Sequence, residues 1–358
     1  MRVSGRRTDL LTTQGHSVAI VGSIEINVST GDSPRFYLGL DVGRTIRGAI
    51  IGGDSAIIKQ ARVVSEVSNP RVFIDQLIDI IKQLCAAEEA CHQVAAVGIG
   101  WAGLINRSTQ RVEANPNLVD VSSFDIHREL EAATGLPTII DNDANMAAYG
   151  EWRSGAARGC RDVFFITMGT GIGAGLILDG QIQRGSRGFA GEFGHFKIVL
   201  DGLECGCGST GCLETLASGP NIVRRVREQL FSDPSFSLSS LARDMEGTLT
   251  GERVLRAAVE KDALALSVLR ETGRILGAAI ASVINLLNVE VVVLGGGVMA
   301  AGELILEPIR EEVQRSVVQP CTQCLQIVAA ELGQDAGIIG AALLARDTFA
   351  ERTAQASG

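Results

Sequence analysis

Four residues that readily bind metal ions lie close together in this sequence. Cys205, Cys207 and Cys212 fall within eight residues of one another, separated mainly by glycines, and His195 precedes them. Three thiolates and one imidazole form a tetrahedral ligand set that suits Zn²⁺. Because four protein ligands leave no open position on the ion, the pattern predicts a structural zinc site and not a catalytic one.

Two carboxylates flank this cluster. Glu192 precedes His195 by three positions, and Glu214 follows Cys212 by two. The second ring nitrogen of a zinc-bound histidine can form a hydrogen bond with a substrate hydroxyl. Carboxylates beside it would complete a hydrogen-bonding array that selects a polyol over water. The alternative is that each glutamate is an ordinary solvated surface residue.

A short polar segment, Asp141-Asn142-Asp143-Ala144-Asn145, joins a predicted strand to a predicted helix. One of these side chains is enough to cap the helix. The others are therefore available to a ligand, with Asn142 binding substrate hydroxyls and Asp143 accepting a proton from one of them. Taken alone, the segment could equally be a helix cap and nothing more.

Three glycine-rich segments could each hold part of a nucleotide. The first, from Asp41 to Thr45, is the turn of a predicted hairpin. There the Asp41 carboxylate would act on Mg²⁺ directly or through water, while the backbone and the Thr45 hydroxyl donate to phosphate oxygens. The second also joins two predicted strands, which disfavours a Rossmann dinucleotide site. The third lies between a strand and a helix, where a ring or phosphate can approach the backbone. Each could instead be an ordinary turn or packing contact. The residues concerned are Asp41, Gly43, Arg44 and Thr45, then Gly169, Thr170 and Gly171, then Gly295, Gly296 and Gly297.

Composition restricts the class of protein. The chain has 358 residues, 46% hydrophobic and 20% charged, with a formal net charge of −9. A general nucleic-acid or anionic-membrane surface would need a basic patch, so neither partner is expected. No apolar run reaches the roughly 20 residues that cross a bilayer, and no signal peptide is evident. The sequence therefore predicts a cytoplasmic protein.

The order of predicted elements indicates a duplicated α/β architecture. Two halves each begin with a hairpin opened by a glycine turn and continue with alternating helices and strands, which predicts two domains with a cleft between them. We expect a flexible N-terminal extension over 1–35, a small domain formed by 36–142 and 335–350, and a large domain over 143–334 that contains the zinc segment 195–212.

Together these motifs resemble the ROK family of sugar kinases and sugar-responsive repressors, over about residues 36–347. The most specific part of the resemblance is Glu192-Phe-Gly-His195 followed by the three cysteines and Glu214. It implies an actin-like, hexokinase-type (ribonuclease H-like) duplicated two-domain fold with an interdomain cleft. It also implies phosphoryl transfer from ATP to a hexose, most of all to the 6-hydroxyl of glucose, with Mg²⁺ as cofactor and Asp143 as general base. A homodimer or homotetramer is expected.

The resemblance assigns roles to single residues as well. The first two glycine segments resemble the phosphate motifs of the family, and the third resembles its adenosine motif. Contacts to the sugar are expected from Gly103, Asn117, Asn142, Asp143, Glu192, His195 and Glu214.

The sequence departs from the family pattern at a few positions. Arg44 stands where the first phosphate loop usually has a second glycine, Ile46 replaces a common lysine, and the loop before Gly103 lacks its usual proline. A positive φ at Arg44 would cost about 1 kcal/mol or more, although its guanidinium could instead donate to a phosphate. These changes affect expectations about nucleotide affinity and sugar identity more than about the fold.

Three other functions remain open at this stage. Within the family, the chain could be an N-acetylmannosamine or N-acetylglucosamine kinase. A non-catalytic sugar-binding regulator is an alternative of another class. A DNA-binding repressor would need a winged helix before Phe36, and the 35 preceding residues show little helical periodicity.

Overall fold

The computed structural model of this chain describes residues 8–13, 16–21, 36–86, 93–115, 118–244 and 249–355. These residues divide into two compact units. The first comprises the described residues up to Arg158, the segment 182–190 and the chain from Gln334; the second comprises 159–181 and 191–333. The residues from Asp143 to Arg158, which the sequence-based division assigned to the large domain, fall in the first unit.

The first unit is built on a seven-stranded sheet with the order β1-β2-β5-β4-β3-β6-β9. Its centre is parallel, because β3 pairs with β6 and β6 with β9 in the same direction. From β3 outward the pairing is antiparallel through β4, β5 and β2 to β1. The strands are β1 (Thr8–Thr13), β2 (His16–Val21), β3 (Phe36–Val42), β4 (Thr45–Ile51), β5 (Ile57–Val64), β6 (Val94–Trp101) and β9 (Thr138–Asn142), with the separate hairpin β7 (Leu104–Asn106) and β8 (Arg111–Ala114).

The sequence predicted a flexible extension over 1–35, but its described part contains β1 and β2. Strand β2 pairs with β5 in the register Ala19↔Arg62, Ile20↔Ala61 and Val21↔Gln60. An edge strand such as β5 presents backbone N–H and C=O groups that need partners, and β2 supplies them. The remaining residues of 1–35 lie outside the described part of the chain.

Helices cover both faces of this sheet. One face carries α9, which packs on β3, β6 and α3, and the other carries α1, which packs on β4 and β5. The approach of α9 requires glycine, because a Cβ at Gly98 would lie 1.9 Å from the carbonyl oxygen of Ala341. The helices are α1 (Pro70–Cys85), α2 (Ile126–Thr134), α3 (Asp143–Ser154) and α9 (Ala336–Gln355).

The second unit repeats the central arrangement of the first. Its five-stranded sheet has the order β12-β11-β10-β13-β14, in which β10 pairs antiparallel with β11 and parallel with β13. This matches the order β5-β4-β3-β6-β9 of the first unit, so the duplication inferred from element order is present in the structure. The strands are β10 (Val163–Met168), β11 (Ile172–Leu178), β12 (Gln181–Ile182), β13 (Val291–Gly295) and β14 (Gln326–Ala329).

A large helical core supports this second sheet. The long helix α7 is buried along much of its length and packs on α8, α5 and α6. The helices are α4 (Glu214–Ala217), α5 (Gly219–Ser232), α6 (Gly251–Val259), α7 (Ala263–Leu287) and α8 (Glu303–Ser316). In the part of the chain that is described, no helix has the length and apolarity needed to cross a membrane.

Candidate functional site

The carboxyl ends of three parallel strands lie level with one another in the first unit. Asp41 of β3 pairs with Gly100 of β6, which pairs in turn with Asp141 of β9. Because neighbouring parallel strands end at the same edge of a sheet, this register brings Asp41, Gly103 and the polar segment after β9 to one edge. Ligands of open α/β sheets bind at such edges.

Asn142 both caps α3 and holds the loop that contains Gly103. Its Oδ1 accepts hydrogen bonds from the backbone N–H groups of Ala144 and Asn145, at 2.9 and 3.2 Å. Its Nδ2 donates to the carbonyl oxygen of Gly103 at 3.1 Å. The cap foreseen as the alternative is therefore real, and the second proton on Nδ2 remains available to a substrate oxygen.

Asp143 is the first residue of α3 and is partly buried. Its Oδ1 accepts a hydrogen bond from the N–H of Ala144 at 2.9 Å. The positive end of the helix dipole lies there and stabilises a carboxylate. Asp143 therefore places a carboxylate in the first turn of α3, at the same edge of the sheet as Asp41 and Gly103.

The first glycine turn is unstrained. Neither Gly43 nor Arg44 has a positive φ, so the conformational cost considered for Arg44 does not arise. A Cβ placed on Gly43 would meet nothing within 4 Å, which leaves the backbone open to a ligand. Asp41 forms an ion pair with Arg47 of the facing strand, a residue that the sequence analysis did not assign to the site.

Gly103 and Asn117 were also expected to bind sugar. Gly103 packs tightly, because a Cβ there would lie 2.2 Å from the carbonyl oxygen of Ala114. Asn117 lies outside the described residues.

A cavity of about 570 Å³ in the second unit is lined by the second and third glycine segments. Gly169, Thr170 and Gly297 all line it, whereas Gly295 and Gly296 do not. Gly295 is buried against the side chain of Phe165. A Cβ on Gly296 would lie 2.4 Å from the Met168 carbonyl oxygen, so Gly296 allows the two backbones to pack closely.

The remaining wall of this cavity was not foreseen from the sequence. It includes the apolar side chains of Ile222, Leu249 and Leu255 and the carboxylate of Glu252. Helix α5 begins beside the glycine turn, where the N–H of Gly219 donates to the carbonyl oxygen of Gly169 at 2.8 Å. An apolar wall suits a purine ring, and a helix N-terminus beside a glycine turn suits phosphate.

Glu192, His195 and Glu214 lie together in the second unit. The Nε2 atom of His195 is 3.7 Å from a carboxylate oxygen of Glu192. Glu214 accepts a hydrogen bond from the N–H of Ile172 at 2.8 Å, which joins it to the turn that carries Gly171. Partial burial raises the pKa of Glu192; His195 opposes this shift and the negative charge of Glu214 reinforces it. Two carboxylates and one imidazole are therefore neighbours here, and their contact with a sugar stays a prediction.

The side chains of the four predicted zinc ligands lie close together. Their ligand atoms all lie within 4.8 Å of one another. The Sγ of Cys205 is 3.6 Å from Nδ1 of His195, and the Sγ atoms of Cys207 and Cys212 are 3.8 Å apart. A tetrahedral ion with Zn–S bonds of about 2.3 Å separates two sulfurs by roughly 3.8 Å. The donor set and its spacing therefore fit Zn²⁺, and Nδ1 faces the sulfurs while Nε2 faces Glu192.

The protonation of one thiol bears on how this site would bind an ion. Burial of Cys212, which is 1% exposed, raises the pKa of its thiol to about 11. A metal ion must displace that proton, because only the thiolate is a ligand.

Residues 37–348 match the ROK family. This chain belongs to the ROK family. A glucokinase of Streptomyces coelicolor is 35% identical over 316 residues, which cover 87% of this chain and 97% of that protein.

Solved ROK structures have the same fold. A ROK family glucokinase from Streptomyces griseus, solved with glucose and AMPPNP, matches with a TM-score of 0.76 and 35% identity, over 87% of this chain and 99% of that one. A ROK family transcriptional regulator matches with a TM-score of 0.78 and 29% identity, over 87% of this chain and 78% of that one. The predicted actin-like, hexokinase-type fold is confirmed.

The sequence analysis missed one charged residue beside the polar segment 141–145. Arg184 forms an ion pair with Asp141, and both side chains are largely buried, at 14% and 6% exposure. The two are 43 positions apart and belong to no shared motif. No local signal in the sequence could have joined them.

Proposed function

We propose that this ROK protein is an ATP-dependent glucokinase, which transfers the γ-phosphoryl group of ATP to the 6-hydroxyl of D-glucose. The observation that carries the proposal is the position of Glu214. Its carboxylate belongs to the polyol-binding set and also accepts a hydrogen bond from Ile172, next to the glycine turn that lines the larger cavity. A sugar and a nucleotide phosphate are thus expected side by side. The identity to glucokinases over most of the chain supports glucose as the sugar.

The reaction needs a proton acceptor and a means of holding phosphate. Asp143 accepts the proton of the 6-hydroxyl as that oxygen attacks the γ-phosphorus; the new O–P bond forms while the bond to the leaving ADP oxygen breaks. Thr45, Thr170 and the backbone N–H groups of the two glycine turns hold phosphate oxygens. Mg²⁺, held through Asp41, would offset the charge of the phosphates. Most of the rate enhancement comes from positioning and electrostatics.

Recognition of glucose depends on paired hydrogen bonds. We assign the sugar hydroxyls to Gly103, Asn117, Asn142, Glu192, His195 and Glu214. A site that leaves buried polar groups unpaired when a hydroxyl is missing can reject that analogue strongly. An N-acetylmannosamine or N-acetylglucosamine kinase remains the alternative within the family, and a non-catalytic sugar-binding regulator remains the alternative of another class.

We also propose that His195, Cys205, Cys207 and Cys212 hold a structural Zn²⁺. The donor set and the spacing of its atoms support this proposal. With Nδ1 of His195 on the ion, its Nε2 is fixed beside Glu192 and available to a hydroxyl. The predicted homodimer or homotetramer and the predicted cytoplasmic location stay predictions.

A substrate panel tests the function. ADP release should be measured with ATP and each of glucose, mannose, N-acetylmannosamine, N-acetylglucosamine and xylose. We expect the highest kcat/KM with glucose. A higher value with an N-acetylhexosamine would assign the family alternative. Saturable glucose binding without ADP release from any sugar would assign the regulator.

A further inference from the structure

Asp141 is a buried carboxylate at the end of β9, two residues before the proposed base. It is 5% exposed. Its Oδ1 accepts hydrogen bonds from the N–H of Asn142 at 2.8 Å and from Nδ2 of Asn145 at 3.0 Å. Asp141 therefore binds the chain on both sides of Asp143, at the end of the strand and in the first turn of α3.

Arg184 supplies the positive charge that this carboxylate needs. Its Nε donates to Oδ2 of Asp141, whereas Oδ1 accepts the hydrogen bonds from Asn142 and Asn145. A buried carboxylate is costly unless it is paired and fully hydrogen-bonded. The guanidinium thus lets Asp141 keep both of its contacts to the turn that carries Asp143.

The segment that carries Arg184 is itself held in place against the β7–β8 hairpin. The N–H of Arg107 donates to the carbonyl oxygen of Arg187 at 2.9 Å, and a Cβ on Gly188 would lie 2.3 Å from the carbonyl oxygen of Ile105. Within the segment, the N–H of Ala190 donates to the carbonyl oxygen of Arg184 at 3.1 Å. These contacts hold the backbone that carries the Arg184 side chain.

We propose that Arg184 is a positioning residue for phosphoryl transfer: it holds the Asp141 carboxylate, which in turn fixes the Asn142–Asn145 turn that presents Asp143. The proposal rests on the proposed kinase function and deepens it. Arg184 pairs with Asp141, and Asp141 accepts the hydrogen bonds from Asn142 and Asn145, so Arg184 acts on the turn through Asp141. A displacement of the base by about 1 Å is enough to lower turnover by up to about 100-fold.

The first test is Arg184→Gln, with Arg107→Gln as matched control. Arg107 lines the same cavity of about 300 Å³ as Arg184 and Asp141, but it is exposed and makes no ion pair with Asp141 among the described residues. We expect kcat for Arg184→Gln to fall about 10- to 100-fold, with KM values for glucose and ATP within about threefold of wild type. The control should keep kcat within about twofold of wild type.

The number of glucose-binding sites per chain distinguishes a folding defect from a positioning defect. Calorimetric titration with glucose gives the fraction of chains that bind, and kcat is expressed per binding-competent chain. A loss of kcat that disappears after this correction would overturn the proposal. The double variant Asp141→Asn with Arg184→Gln removes both charges, so it should fold even if the single variant does not. We expect the kcat of the double variant to equal, within about threefold, the lower of the kcat values of Asp141→Asn and Arg184→Gln. Losses that multiply in the double variant would contradict the pathway.

Chemical rescue supplies a readout that a purely structural role would not give. Arg184→Ala opens space next to the 300 Å³ cavity, which is large enough for free guanidinium. Millimolar guanidinium chloride should raise kcat of Arg184→Ala saturably, while equal concentrations of urea or sodium chloride should not. Equal responses to all three additives would contradict the proposal. Absence of glucose phosphorylation in the wild type would instead count against the proposed function.

Discussion

The carboxylate of Glu214 accepts a hydrogen bond from the backbone N–H of Ile172 at 2.8 Å. Glu214 follows the cysteine cluster, whereas Ile172 begins the strand after the second glycine turn. One hydrogen bond therefore joins the segment expected to bind the sugar to the turn expected to bind phosphate. Movement of either one must affect the other.

Replacing Glu214 should weaken sugar binding without unfolding the protein. In Glu214→Gln the amide oxygen can still accept from Ile172, but the charged acceptor for a sugar hydroxyl is lost. A hydrogen bond to a charged group contributes about 1.5–3 kcal/mol, so KM for glucose should rise by about tenfold or more. Steady-state kinetics checks this, with Glu204→Gln, an exposed carboxylate of the same segment, as control. An unchanged KM would remove Glu214 from the sugar site.

Asp143→Asn should abolish turnover while sugar binding persists. The amide keeps the shape of the carboxylate and can still accept from the N–H of Ala144, so α3 should start normally. It cannot take a proton, and general base catalysis contributes about 100- to 10,000-fold. We expect kcat to fall by that factor and the Kd for glucose, measured by calorimetry, to change little. A rate close to wild type would rule out Asp143 as the base.

The cysteine cluster should carry one zinc ion per chain. Metal analysis of purified protein should find zinc in the wild type, none in Cys212→Ser, and the wild-type amount in Cys324→Ser, which alters an exposed cysteine outside the cluster. Because the pKa of the Cys212 thiol is raised, protons compete with the ion, so a chelator should remove zinc faster as pH falls. Equal zinc content in all three proteins would exclude Cys212 as a ligand.

Arg44→Gly tests whether the departure in the first phosphate turn serves ATP. Arg44 is exposed and lacks a positive φ, so glycine relieves no strain there and should lower the free energy of unfolding by about 0.5–1 kcal/mol. If the guanidinium donates to phosphate, KM for ATP should rise while KM for glucose stays constant. A lower KM for ATP would show that Arg44 hinders the nucleotide.

Asp262 should make stability depend on acid pH. It caps α7 by accepting from the N–H of Ala265 at 3.1 Å, and it accepts from the N–H of Ser240 at 2.8 Å. Burial alone would raise its pKa, but these bonds and those from the Ser239 and Ser240 hydroxyls outweigh burial and lower it. A lowered folded-state pKa means that the stabilisation is complete above the unfolded value of about 3.9 and is lost as pH falls through the folded value.

Urea unfolding of Asp262→Asn measures this effect. At pH 7 its free energy of unfolding should lie about 1 kcal/mol or more below that of wild type, as for other lost caps. The gap should narrow as pH falls below about 4, where the carboxylate of the unfolded wild type becomes protonated, and it should be smallest below the lowered pKa of the folded state. A constant gap across this range would show that the charge of Asp262 does not contribute.

The sequence by itself determined the features that depend on neighbours along the chain. The spacing of Cys205, Cys207 and Cys212 after His195 predicted a ligand set, and the structure brings their atoms together. The hairpin-first order of both halves predicted the duplication, because a glycine turn between two apolar strands forms a hairpin through local hydrogen bonds. The polar segment 141–145 at a strand–helix junction likewise predicted that one of its side chains caps the helix, and Asn142 does so.

Only the tertiary structure decided the contacts between distant parts of the chain. The pairing of Arg184 with Asp141 depends on how the 182–190 segment packs against β7, and no local pattern encodes it. The pairing of β2 with β5 and the apolar wall around Gly169 and Gly297 arise in the same way. Such contacts depend on backbone groups and shapes that exist only once the sheets have formed, so residue types and spacing cannot reveal them.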